Sequence, residues 1–223
     1  NYLAGKDGIN GRIDSNFNGI ASNASGEWYC EYGQVQFDAS GLVKSENDAF
    51  DGWYYVRNGC VQKGQETVVQ NSSGWWYIGT DGKVDFHKNT VAPNEYGWWA
   101  VRNGAVDFQL NGIASNESGD WYCRGGQVDF GAAGVLESET EGFSGWYYIQ
   151  NGCVQKGQET VKQNSNGWWY IGTDGKVDFG FSGIASNENG TWYIENGKVN
   201  FTYSGTYEDE NGRIYDIKSG NAA

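Results

Sequence analysis

The sequence predicts an all-β protein, a β-solenoid of stacked two-stranded hairpins with repeats of about 22–25 residues. Three observations predict it. A short motif, clearest as GIASNENGTWYIENGKVNF at residues 183–201, begins near Gly19, Gly41, Glu66, Asn89, Gly112, Gly134, Glu159 and Gly183. A longer duplication lies above it: residues 19–111 align without a gap onto 112–204, and 59 of those 93 positions are identical. The composition agrees, with 35 glycines, 11 Trp, 15 Tyr and a single Pro among 223 residues. Such a chain suits short strands and tight turns, and it is neither disordered nor collagen-like.

The two periods set the domain organisation. Residues 1–18 are expected as an N-terminal cap or half-repeat, 19–111 and 112–204 as two blocks of four hairpin units each, and 205–223 as a C-terminal cap. Divergent ends are what a stack of repeats needs to terminate in solvent. A β-propeller is the main rival, but a unit of this length cannot hold a four-stranded blade of about 40 residues.

Within one unit, Asn196–Gly197 predicts a type I′ turn, because both central positions of that turn need positive φ. Glu195 then faces Lys198, Ile194 faces Val199, Tyr193 faces Asn200 and Trp192 faces Phe201. Alternation puts Trp192, Ile194, Val199 and Phe201 on one face, which is expected to be the core. Tyr32–Gly33, Asn103–Gly104 and Gly125–Gly126 fit the same register. The third and seventh units have one extra residue before Asp-Gly and predict a wider loop or bulge. The second and sixth carry Lys63 and Lys156 in place of Phe and are expected to pack less tightly. Segments such as GIASNENG read as one buried aliphatic followed by a polar turn.

The formal charge of −13 disfavours nucleic acid and anionic membranes as partners. No apolar run reaches the roughly 20 residues of a membrane span. The chain opens at Asn1 without a targeting segment and reads as a mature fragment of an exported protein. Cys30, Cys60, Cys123 and Cys153 lack zinc-ligand spacing and suggest two disulfides formed in an oxidising compartment. The duplication favours Cys30 with Cys60 and Cys123 with Cys153, although the register puts Cys30 on the core face and Cys60 on the outer face beside a turn.

Catalysis finds no support. His87 is the only histidine and its duplicate position is Gly180, so triad chemistry has no repeated base. Asp85 with Asp107, and Asp129 with Asp178, are the available carboxylate pairs, and they read as a solvated face. No metal site and no cofactor are expected: the acidic stretches at 45–52 and 138–145 lack EF-hand spacing. What remains is a surface of Trp and Tyr. The candidate binding residues are Trp53, Trp75, Trp98, Trp146 and Trp168, just before the core position, and Tyr29, Tyr77, Tyr122, Tyr170 and Tyr193, just after it. Aromatic grooves of this kind suit sugar faces, choline-like cations or a protein partner.

The units YYVRNGCV, WWYIGTDGKVDF and WYIENGKVNF resemble the cell-wall-binding repeats of Gram-positive surface proteins, including choline-binding and glucan-binding repeats and the tandem repeats of gut clostridia. The resemblance implies aromatic cages between successive hairpins, at Trp28, Tyr54, Trp76, Trp99, Trp121, Tyr147, Trp169 and Trp192. It implies a non-catalytic, extracellular module at the bacterial surface that attaches to cell-wall polymer or glycan. Similar clostridial proteins bind host immunoglobulin, so the alternative is an immunoglobulin-binding module with one site per 93-residue block.

Overall fold

The computed structural model describes residues 14–222, so residues 1–13 of the expected N-terminal cap, and Ala223, lie outside the described residues. The chain forms two compact units, Asn1–Phe108 and Gln109–Ala223. Among the described residues the regular structure is all β, in repeated antiparallel hairpins, and no helix is long and apolar enough to cross a membrane.

Each repeat has one more strand than expected. Gly183–Asn187 runs antiparallel to Gly190–Glu195, which turns into the two-residue strand Lys198–Val199. The segment expected as a linker is therefore the long partner of the tryptophan strand. Its turn is built by Asn187, whose Oδ1 accepts the amide of Asn189 at 2.9 Å, an Asx-turn that brings Asn187 opposite Gly190.

The other turn has the expected form: Asn196 and Gly197 have φ of 50° and 76°, and Ile194 pairs with Val199 and Glu195 with Lys198. A Cβ at Gly197 would strike the carbonyl oxygen of Asp178 in the preceding repeat, so this corner needs glycine for contact as well as for φ. The ladder ends sooner than expected. Asn200 still donates its amide to Tyr193 at 3.1 Å, but its side chain accepts the amides of Thr202 and Tyr203 and turns the chain out of the sheet. Asp85, Asp129 and Asp178 do the same for His87, Gly131 and Gly180, at 2.8–3.0 Å. These carboxylates end strands, which accounts for three of the four aspartates weighed as acid–base candidates.

The third and seventh repeats have the wider loop that their extra residue predicts. The return strand there is a single bridge, Ile78 with Val84 and Ile171 with Val177. Residues Gly205–Glu208, Ile214–Lys218 and Asn221–Ala222 form a further repeat of the same three-stranded kind.

Consecutive repeats are joined by backbone hydrogen bonds. In the first unit the amides of Tyr29 and Tyr77 donate to the carbonyls of Gly59 and Gly104 at the next repeat's turn, both at 2.8 Å. In the second unit Tyr122, Tyr170 and Tyr193 donate likewise to Gly152, Gly197 and Gly220, at 2.7–2.8 Å. Apolar clusters lie between neighbours. Ile20, Tyr54, Val56 and Val61 form one in the first unit, and Val161, Tyr170, Ala185, Ile194 and Val199 form one in the second.

The second and sixth repeats do not simply pack less tightly. Lys63 reaches back to Glu27 and Lys156 to Asp120, so an inter-repeat ion pair takes the place of the missing phenylalanine.

The four cysteines are free thiols, which corrects the expected Cys30–Cys60 and Cys123–Cys153 bonds. The register explains it. Cys60 pairs with Trp28 and Cys153 with Trp121, and their sulfurs lie 3.6 and 3.3 Å from where a Cβ on Gly26 or Gly119 would sit. Cys30 and Cys123 lie two residues beyond Trp28 and Trp121 on those strands, which sets the Cα atoms of each expected pair about 8 Å apart and beyond the reach of a disulfide. Burial pushes the Cys30 thiol up to about 11 and the Cys123 thiol up to about 12, as suits unreactive core positions.

Candidate functional site

The repeated surface feature begins with an asparagine. Besides forming the turn, the Oδ1 of Asn187 accepts the indole N–H of Trp192 at 3.0 Å. The same pair, five residues apart, recurs as Asn23–Trp28, Asn71–Trp76, Asn94–Trp99, Asn116–Trp121 and Asn164–Trp169, at 2.9–3.3 Å. A half-buried indole needs a partner for its one donor, and this bond fixes the ring's orientation.

Each of these tryptophans holds a phenylalanine edge-on. Trp28–Phe37, Trp76–Phe86, Trp99–Phe108, Trp121–Phe130, Trp169–Phe179 and Trp192–Phe201 have ring centres 5.3–5.8 Å apart and interplanar angles of 66–75°. The phenylalanines are exposed, by 67% at Phe37 and 43–50% at the other five. Expectation had placed these Trp and Phe rings in the core. The core is instead made by the next residues inward, such as Ile194 and Val199, because the turn after the return strand swings each phenylalanine outward.

A third ring comes from the preceding repeat. Trp75 lies 5.1 Å from Trp99 and 5.8 Å from Phe108, at 54° and 89°. Its duplicate Trp168 lies 5.2 Å from Trp192 and 6.0 Å from Phe201, at 58° and 90°. Trp146 joins Trp169, Phe179, Asn164, Val177 and Lys198 around a cavity of about 220 Å³. Trp53, the duplicate of Trp146, is half-buried opposite Lys44, and Trp98 is half-buried opposite Pro93.

The five candidate tyrosines divide. Tyr77 and Tyr170 are buried, at 2% and 4% exposure, while Tyr29, Tyr122 and Tyr193 are half-buried. Tyr29 donates its hydroxyl to Glu31 at 2.8 Å, and burial with that carboxylate pushes it up to about 12. Burial and Glu159 push Tyr170 up to about 12 as well, and burial with Glu66 raises Tyr77. These phenols remain neutral donors at any physiological pH.

A second cavity, of about 400 Å³ in the first unit, is lined by Tyr55, Arg57, Trp75, Glu95 and Tyr96 among others. Sequence reasoning missed Tyr55, Tyr96 and the exposed phenylalanines. The Asn-x-x-Gly-x-Trp spacing was the signal for the last group, since it betrays a surface turn bonded to the indole. Ring faces carry negative quadrupole potential, and the chemistry of a corner of two or three rings is that of a surface complementary to a cation or an apolar sugar face.

A model of the choline-binding repeat matches residues 16–36, 38–62, 66–85, 88–107, 111–129, 144–155 and 180–200, more than half of the chain. The chain belongs to the choline-binding repeat family, as its resemblance to wall-binding repeats led one to expect. Repeats of this family make binding modules of Gram-positive cell-surface proteins. Among solved structures the chain is similar to CbpJ from Streptococcus pneumoniae TIGR4, at 18% identity over 89% of this chain and 70% of that one, with a TM-score of 0.36. For choline binding protein F from Streptococcus pneumoniae the values are 16%, 89%, 70% and 0.37. For the modular autolysin LytC of the same species, solved with a synthetic peptidoglycan ligand, they are 12%, 92%, 46% and 0.43. No curated protein sequence matches the chain.

Proposed function

We propose that the protein is a non-catalytic module of the bacterial surface whose repeats stack as a β-solenoid and hold cell-wall polymer, through choline or a similar quaternary ammonium, in the aromatic corners between repeats. The observation that carries this reading is the recurring Asn–Trp–Phe corner walled by a tryptophan of the preceding repeat, as in Trp75–Trp99–Phe108 and Trp168–Trp192–Phe201. Trp53 and Trp146 are assigned the same role as outer walls, and Trp98 is assigned to the binding surface of its own repeat. Tyr29, Tyr122 and Tyr193 are assigned to the groove floors, and the buried Tyr77 and Tyr170 support those floors from beneath.

A cation on one ring face gains about 0.5–2 kcal/mol, which is weak for one corner. Several corners engaging one polymer multiply that by effective concentration. The net charge of −13 adds a long-range attraction for a cationic ligand.

The test is retention on purified sacculi of a choline-decorated wall, followed by elution with free choline. The native protein is expected to bind and to elute. Trp99→Ala with Trp192→Ala, which removes two corners, is expected to cut retention at least about tenfold. Retention that choline fails to release would overturn the reading. The antibody-binding alternative draws no support from the family match, and a serum immunoglobulin pull-down run alongside decides it.

A further inference from the structure

Within each unit, the first residue after a repeat's turn crosses the preceding repeat's strand at its Trp or Tyr position. In the first unit this register sets Cys60 on Trp28, Lys83 on Tyr54 and Ala105 on Trp76. In the second it sets Cys153 on Trp121, Lys176 on Tyr147 and Lys198 on Trp169. The strand beneath starts at a glycine, and what crosses that glycine differs from corner to corner.

At Trp169 the crossing residue reaches the ring pair. A Cβ on Gly167 would strike the Cε of Lys198, so the lysine stem lies directly over the strand. Its ammonium then sits 5.0 Å from the centre of the Trp169 ring, at the wall of the cavity that Trp146 and Phe179 also line, while the side chain stays exposed to solvent. At the duplicate position in the first unit, Ala105 ends at its Cβ. The nearest atoms to a Cβ on Gly74 belong to the Trp76 ring itself, at 3.7 Å. Among the described residues no lysine or arginine lies over Trp76. Trp76 and Phe86 nonetheless keep the paired geometry of Trp169 and Phe179, with ring centres 5.3 and 5.5 Å apart.

We propose that Lys198 is a tethered cation that occupies the Trp169 corner as its own ligand, whereas Ala105 leaves the Trp76 corner for a free quaternary ammonium. The duplicated blocks thus differ in ligand capacity through one side chain. The second half of the proposal rests on the quaternary-ammonium reading above; the first half does not. A free cation entering the Trp169 corner must displace a tethered one, whose effective concentration is in the millimolar range, and it must do so against like-charge repulsion.

Two measurements test it. In 13C-lysine-labelled protein the Lys198 ε-methylene protons are expected upfield of those of exposed Lys218, shifted by the Trp169 ring current. Trp169→Ala is expected to return them to the ordinary position. This needs no ligand, and an unshifted Lys198 in the native protein overturns the proposal. In calorimetric titration with choline chloride, Lys198→Ala is expected to gain one site and Ala105→Lys to lose one, while Ala105→Ser, too short to cross Gly74, keeps the native count. If choline binds and Lys198→Ala gains no site, the self-occupied corner is overturned and the wall-binding reading survives. If the native protein and Lys198→Ala both bind no choline, the ammonium reading falls with its half of the proposal, and the ring-current shift alone decides the place of Lys198.

Discussion

The second and sixth repeats differ from the other six of the two blocks in one systematic way. Where those carry a tryptophan and an exposed phenylalanine, these carry Tyr54 and Tyr147, buried at 6%, and the lysines Lys63 and Lys156. Their strands, turns and inter-repeat hydrogen bonds are nonetheless the same: Tyr55 donates to Gly82 at 2.9 Å and Tyr148 to Gly175 at 2.8 Å. The fold therefore does not require the Trp–Phe corner. The Ile and Val positions, common to both kinds of repeat, hold the structure, and the corner is a surface feature laid over it.

That separation can be broken most severely in the core. Ile149 of the sixth repeat is fully buried, and Ile149→Ala is expected to cost about 2–5 kcal/mol in denaturant unfolding. Phe130→Ala, in a corner, is expected to cost under about 1 kcal/mol, because that ring is 47% exposed. Equal losses would mean that the corner is structural after all.

The ion pairs come next. The Asp120 side chain is only 9% exposed, and Ser115 donates to its other oxygen at 2.6 Å, so Lys156→Ala leaves a nearly buried carboxylate without its cation. About 1–2 kcal/mol is expected, discounted because Lys156 is itself half exposed. Lys63→Ala should cost less, since Glu27 is 17% exposed and can recover water. A reversed order in the two melting temperatures would show that burial does not set the value of these pairs.

The smallest effect is absent at neutral pH. Tyr29 and Tyr170 are held near 12 in the folded protein, against an ordinary value of about 10. The folded state thus keeps protons that the unfolded chain releases, and stability falls as pH climbs from about 10 toward 12. The melting temperature is expected to be level between about pH 7 and 9 and to decline above 10, less steeply in Tyr170→Phe. A curve flat to pH 12 would contradict the burial of these phenols.

The repeat boundaries and the I′ turns were legible because Asn-Gly fixes two dihedral angles within two residues. The pairing of Ile194 with Val199 followed from that alone. The first strand of each repeat was not legible, since GIASN has no strong alternation and its Asn reads equally well as a loop residue. The outward phenylalanines were misread for a related reason. Period-two reasoning assumes that the strand continues, and the Asx-turn at Asn200, Asp178 or Asp129 stops it one residue short. The outer walls Trp75, Trp146 and Trp168 were visible as surplus aromatics, but their partners lie in the following repeat and only the register joins them. The cysteines failed by register: the duplication paired the right repeats, but Cys60 and Cys153 pair with Trp28 and Trp121, two residues short of Cys30 and Cys123.

The apolar clusters each draw on two neighbouring repeats, from Ile20 to Val61 and Val161 to Val199 as described above, and likewise from Val68 to Val106, Ile113 to Val154 and Val135 to Val177. A repeat inserted or deleted as a whole therefore exchanges one such cluster for another and leaves the remainder undisturbed. Copy number becomes a variable that recombination between the two 93-residue blocks, alike at 59 positions, can change in a single event, and with it the number of aromatic corners. Length in this chain is a form of dosage.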